Sequence, residues 1–147
     1  MKIKKLLKIN FKHYKYESFS SLFYIANILN EKIETFLQKY DINYSQYNVI
    51  RILKGSQPTP LTVKEIYFRM FRKHSNLPRL LQKLEEKSLI VKFDSPTDKR
   101  ETLIKLTPHG YRFAQEVEAN FDEIIYEIIN LNKSESDELV ALIDKLL

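Results

Sequence analysis

Apolar residues recur at three- and four-residue steps through Phe19, Leu22, Phe23, Ala26, Leu29, Ile33, Phe36, Leu37 and Tyr40. The spacing predicts a long amphipathic helix over about 17–40. A stripe of that length needs a partner surface, either the chain's own core or a second chain. Asp41-Ile42-Asn43 interrupts it, and Ser45 can cap a shorter helix whose Val49, Ile50, Ile52 and Leu53 supply buried positions. Lys54-Gly55-Ser56 and Pro58-Thr59-Pro60 end that helix. Thr62-Val63-Lys64-Glu65 then has capping-box spacing, a hydroxyl and a carboxylate placed to satisfy each other's orphan amides. It opens a helix through about Phe71.

Arg72, Lys73 and His74 form a basic turn before Ser75, an N-cap candidate for the next helix. In that helix Leu77, Leu80, Leu81 and Leu84 share one face, and Asn76, Arg79 and Lys83 share another. Pro78 falls in the first turn, where its missing N–H costs nothing, and places the helix start near Ser75. Two β-rich runs follow, 89–93 and 102–106, joined by Asp94, Ser95, Pro96 and the charged turn Asp98-Lys99-Arg100. Thr107-Pro108 begins another helix, which Tyr111, Ala114, Val117, Phe121, Ile124, Ile125 and Ile128 carry to about Asn130. A last helix follows Ser134, with Leu139, Leu142, Ile143 and Leu146 as its stripe. The fold class expected is mainly α with a small β-hairpin, in winged helix-turn-helix order and one domain.

Composition narrows the chemistry. The 147 residues include no cysteine, which excludes disulfides, thiol redox sensing and Cys-based zinc sites. Charge is unevenly placed within the net +5: eight basic against four acidic residues up to 50, thirteen against six over 51–105, and three against nine beyond. A basic centre beside an acidic C-terminal part suits a chain of which one segment meets a polyanion. The opening Met1 to Lys12 stretch is basic and partly apolar, but lysines interrupt every apolar run and no small-residue cleavage site follows. No apolar run is long enough to span a bilayer, so the expected address is cytoplasmic.

Enzyme readings find little support. His13, His74 and His109 fall on three different elements without a partner at metal spacing, and no Gly-rich phosphate loop or nucleophile motif occurs. They read as surface or capping residues. No catalytic group, metal or cofactor is expected. Glu85 and Glu86, adjacent on a helix, read as a solvated face.

The run Leu80-Leu81-Gln82-Lys83-Leu84-Glu85-Glu86-Lys87 into Leu89-Ile90, then Asp98-x-Arg100, then Leu106-Thr107 with Gly110, resembles the MarR family of bacterial transcriptional regulators. Leu131 to Ser136, followed by Leu139 and Leu142, is similar to the family's closing helix. The resemblance implies a homodimer interlocked through N- and C-terminal dimerisation helices, about 1–40 and 108–147. A winged helix-turn-helix lobe of about 44–107 would bind a pseudo-palindromic operator in double-stranded DNA, as a repressor. It implies a recognition helix in the major groove, Arg100 as the wing-tip arginine in the minor groove, and Asp98 as the carboxylate that orients the wing. Where the family usually has glycine after the recognition helix this chain has Ser88, and Pro78 stands where the family carries less constrained residues.

DNA binding needs cations for phosphates and planar or bidentate groups for base edges. The candidates are Ser75, Asn76, Arg79, Gln82 and Lys83 on the helix, with Asp98, Lys99 and Arg100 in the wing. The resemblance also implies release by a small ligand lodged between the dimer helices and the lobe. Tyr14, Tyr16, Tyr24 and Tyr47, with Phe23 and Tyr44, are an aromatic set able to line such a cavity for a small aromatic ligand, or to serve simply as core. The rival reading is a winged-helix module that binds protein and not DNA, against which Arg72, Lys73, Arg79, Lys83 and Arg100 weigh. The Lys-rich first sixteen residues suggest an arm that joins the dimer interface or touches DNA, with no membrane binding expected.

Overall fold

The chain is described by a computed structural model over residues 5, 6, 8–71 and 76–147. Helix α1 (Tyr14–Gln38) leads to α2 (Tyr44–Gly55), a two-residue strand β1 (Leu61–Thr62) and α3 (Val63–Arg69). Helix α4 (Leu77–Glu86), strands β2 (Ile90–Asp94) and β3 (Thr102–Leu106), α5 (Pro108–Ile128) and α6 (Lys133–Asp144) complete the order.

Helix α2 is the hub of the lobe. Tyr47, Val49, Ile50, Ile52 and Leu53 on it are buried, and it packs against α1, α3, α4, α5 and β3. Asn43 caps it in a capping box with Gln46, so Asn43 and not Ser45 is its N-cap. The physical reason is reach: the Asn43 side chain accepts from Gln46 N at 2.9 Å while Gln46 Oε1 accepts from Asn43 N at 3.0 Å. The Thr62–Glu65 box opens α3 as its spacing predicts, but α3 stops at Arg69, short of Phe71. Extended backbone at Met70 (ψ 135°) ends it.

Strand β3 lies centrally, antiparallel to both β1 and β2, with Ile90 opposite Leu106, Asp94 opposite Thr102 and Leu61 opposite Ile104. The hairpin is therefore part of a three-stranded sheet. Two residues are too few for an alternating pattern to be visible in sequence, which is why the pattern does not predict β1. Helix α6 starts one residue before Ser134, because Asn132 forms a capping box with Glu135.

Helices α1 and α4 end alike. At α1, Ile42 N donates to Leu37 O and Asp41 N to Gln38 O, with Asp41 in the left-handed region at φ 55°. At α4, Leu89 N donates to Leu84 O and Ser88 N to Glu85 O, with Ser88 at φ 57°. Both are Schellman turns carrying a non-glycine residue where glycine is usual.

The apolar stripes divide. Phe36 and Leu37 of α1 are buried in the lobe core, whereas Phe19 and Phe23 near its start are 67% and 64% exposed. Helix α6 has no buried residue at all. Among the described residues no helix is long and apolar enough to cross a membrane.

Candidate nucleic-acid interface

Leu77, Leu80, Leu81 and Leu84 of α4 are all buried, each worth roughly 1.5–3 kcal/mol against exposure, so the helix is held by one face. Asn76, Arg79, Gln82 and Lys83 are left exposed on the other. Asn76 is the N-cap residue by position, with no side-chain cap bond, and Pro78 occupies the first turn as its sequence position requires. Ser75, with Arg72, Lys73 and His74, lies outside the described residues.

Arg79 and Lys83 are in no ion pair with a described residue. With Asn76 and Leu80 they line a groove of about 320 Å³ whose other wall is Asn43, Ser45 and Gln46 at the start of α2. Sequence reasoning does not single out that wall. Gln82 is engaged by Glu86, its Nε2 donating to Oε1 at 3.0 Å. Glu85 likewise accepts from Lys92 Nζ at 2.7 Å, a bridge from α4 to β2, so this acidic pair is a tied face and not merely a solvated one.

The wing closes on a buried serine. Ser95 is 4% exposed; its N donates to Glu101 O at 2.9 Å, and its Oγ accepts from Asp98 N at 3.3 Å. Asp98 Oδ1 accepts from Arg100 N at 2.9 Å while Asp98 O accepts from Glu101 N at 2.9 Å. Asp98 thus shapes the backbone and leaves the Arg100 guanidinium without a carboxylate partner among the described residues. Lys99 and Arg100 are exposed at the tip. Sequence reasoning misses Ser95, although a serine three residues before an aspartate is a usable turn signal.

Thr107 ties the end of α4 to the start of α5. Its Oγ1 donates to Ser88 O at 2.7 Å and accepts from Gly110 N at 2.9 Å, and its own N donates to Leu89 O at 3.1 Å. A Cβ on Gly110 would lie 1.9 Å from Leu89 O, so only glycine allows this approach. The Leu106-Thr107 and Gly110 pattern is the packing of helix start against strand start. On the far side of α4, Lys87 Nζ reaches the end of α1, donating to Asp41 O at 2.7 Å and pairing with the Asp41 carboxylate. Lys87 holds the Asp41 carboxyl below its ordinary range, first through the hydrogen bond and then through its charge.

Of the aromatic set offered for a ligand site, Tyr44 and Tyr47 share a pocket, whereas Tyr14 and Tyr16 lie at other places. Tyr14 borders an apolar groove between α1 and α6, and Tyr16 lies beside His13, Lys15 and Phe19. Tyr47 lines a pocket of about 330 Å³ with Ile33, Tyr44, Arg51, Glu118 and Phe121, among others; Tyr24 borders none of the three. Burial pushes the Tyr47 hydroxyl up to about 12, and the carboxylates of Glu118 and Asp122 add to that against the opposing charge of Arg51. His13 caps α1, accepting from Lys15 N at 3.2 Å. Among the described residues no group of three or more His, Cys, Asp or Glu side chains is placed to hold a metal ion.

Comparison with known proteins matches residues 40–101 to the model described as MarR family, a span that runs from the end of α1 through the wing turn. HTH-type transcriptional regulator MhqR of Bacillus subtilis is 25% identical over 113 residues, covering 76% of this chain and 75% of the relative. HTH-type transcriptional regulator PrsX of Escherichia coli is 29% identical over 119 residues, covering 81% and 72%. Among solved structures, the S. aureus MepR–DNA complex superposes with a TM-score of 0.77 at 27% identity, over 86% of this chain and 94% of that one.

Proposed function

We propose that this chain is a MarR-family homodimeric transcriptional regulator that binds a pseudo-palindromic operator, in the repressor role. The observation that carries this reading is the pair Arg79 and Lys83, cations without an ion-pair partner among the described residues, on the outer face of a helix whose inner face is fully buried. Cations left without counter-charges on a rigid helix suit a polyanion, and α4 meets the major groove with that face. The wing supports the same geometry: a turn pre-shaped by Ser95 and Asp98 presents Arg100 to the adjacent minor groove. Asp98 acts here as a positioning residue.

Dimerisation is supported by the exposed apolar face that runs from Tyr14, Phe19 and Leu22 on α1 to Leu139 and Leu142 on α6 and Leu146 just beyond it. A second copy of the chain covers it, which places the two α4 helices on successive turns of one DNA face. The pocket around Tyr47 is the ligand site this reading favours, since it lies between α1, α2 and α5, where a bound molecule would shift the lobe against the dimer body. The α4 face and the MepR–DNA likeness weigh against a purely protein-binding module.

Selection of bound duplexes from a random pool tests the reading. An enriched palindrome with half-sites about one helical turn apart is the expected result. No enrichment over input, from a protein shown to be folded and dimeric, overturns it.

A further inference from the structure

The segment Lys39–Asn43 joins the long helix α1 to the lobe and is, with the passage from β3 into α5, one of the two connections through which the lobe can turn against the dimer body. Its conformation is held from three directions. The Schellman bonds Ile42 N to Leu37 O and Asp41 N to Gln38 O close it from the α1 side. Glu34 of α1 accepts from Tyr44 N at 3.3 Å and clamps the first turn of α2. The third hold comes from the DNA-reading helix itself: Lys87, the C-cap residue of α4, puts its ammonium on both the backbone carbonyl and the carboxylate of Asp41.

We propose that Lys87 and Asp41 form a latch that sets the angle of the recognition helix against the dimerisation helix, and so the half-site spacing the dimer accepts. The proposal rests on the DNA-binding reading above and names the residues that regulate its geometry. The residue types fit the task. Asp41 occupies a left-handed position where glycine would avoid steric cost, and aspartate is among the few side chains that tolerate it while adding a charge. Lysine at 87 supplies a flexible stem and three donors, enough for carbonyl and carboxylate together. Helix α4 packs chiefly on α2, α3 and β2, all within the lobe, and this bridge ties it to the segment that follows α1. The latch is a surface pair in which the Asp41 side chain is 94% exposed. Its contribution to global stability is correspondingly small, and its effect is on orientation.

The test compares the full-length wild type with K87M, K87R and D41N. Binding is measured to the selected operator and to versions with half-site spacing changed by one and two base pairs, alongside thermal unfolding and amide exchange at Ile42 and Leu89. Arginine keeps the bridge, so K87R should retain the wild-type spacing preference. K87M and D41N should each lose about threefold or more of the discrimination between spacings at nearly unchanged melting temperature. Both should also speed exchange at Ile42. The D41N substitution removes a negative charge, so a mere phosphate contact by Lys87 predicts unchanged or tighter binding for it, whereas loss of the latch predicts broader spacing. Spacing profiles identical to wild type, or affinity lost equally at every spacing, overturn the proposal. If the wild type binds no duplex, the DNA reading fails on its own and exchange decides the latch: faster exchange at Ile42 in K87M upholds it, and an unchanged rate overturns it.

Discussion

Replacing Ser88 with glycine should stabilise the protein, although it removes a side chain and adds nothing. Ser88 sits at φ 57°, at the left-handed position of the turn that ends α4, and is exposed, with no hydrogen bond to its hydroxyl among the described residues. A non-glycine L-residue there is strained by about 1–2 kcal/mol through crowding of Cβ against the following carbonyl. Glycine removes that strain but loses about 0.5–1 kcal/mol more chain entropy on folding. The difference leaves Ser88→Gly ahead by roughly 0.5–1 kcal/mol. For a chain of this size that is a rise in Tm of about 1–4 °C. Thermal unfolding followed by circular dichroism, at one fixed protein concentration because dimers unfold in a concentration-dependent way, measures it. Urea unfolding should show a higher midpoint at unchanged slope. A Tm equal to or below wild type would refute the reasoning, since it would mean the Ser88 turn carries no net backbone strain.

Gly110→Ala works in the opposite direction: a Cβ 1.9 Å from Leu89 O must push α5 off the strand, costing about 2–3 kcal/mol, while Gly55→Ala, whose Cβ meets nothing within 4 Å, should cost nothing and serves as the control in the same melts. Arg100→Ala should weaken operator binding in a fluorescence-anisotropy titration at physiological salt while leaving the dimer folded; unchanged affinity removes Arg100 from the interface. Arg79→Ala should lower the salt slope by about one if Arg79 meets a phosphate, or relax preference at one base pair if it reads an edge, and no change in either measurement excludes it. Bonds from the Thr62 amide and hydroxyl hold the Glu65 carboxyl below its ordinary 4.5. A depressed folded value means this stabilisation is present above pH 4.5 and lost as pH falls through the lowered value, so Glu65→Gln should flatten that part of a stability-against-pH curve. Leu142→Glu, placing a charge on the exposed α6 stripe, should shift the protein toward monomer in sedimentation, and an unaltered dimer would move the interface elsewhere.

Most of the α-helical frame is legible in the sequence because it obeys a period: the Leu77-Leu80-Leu81-Leu84 face and the Thr62–Glu65 and Thr107–Pro108 starts are local signals that tertiary packing reinforces. Local signals fail where two acceptors compete. Ser45 and Asn43 are both good caps, and only the reciprocal bond with Gln46 decides for Asn43. Strand β1 is invisible because its identity comes from pairing with β3 and not from its own two residues. The α1 stripe is legible as apolar but not as divided, since what covers Phe19 differs from what covers Leu37. Of the candidate site, the α4 face and the wing tip follow from residue type. The latch does not, because Asp41 and Lys87 stand 46 positions apart and nothing in either neighbourhood announces the other.

The buried hydroxyl of Ser95 has a consequence for the heat and entropy of operator binding. A wing that is loose in the free protein would have to be ordered on contact, and calorimetry would record that ordering as an unfavourable entropy growing with each immobilised residue. Here Ser95, Thr97, Asp98 and Glu101 have already exchanged their hydrogen bonds within the turn. Only the side chains of Lys99 and Arg100 are left to settle at the tip, so on the proposed reading the wing would meet DNA with its backbone entropy already surrendered at folding, and its share of the binding signature would be set by displaced counterions rather than by chain ordering.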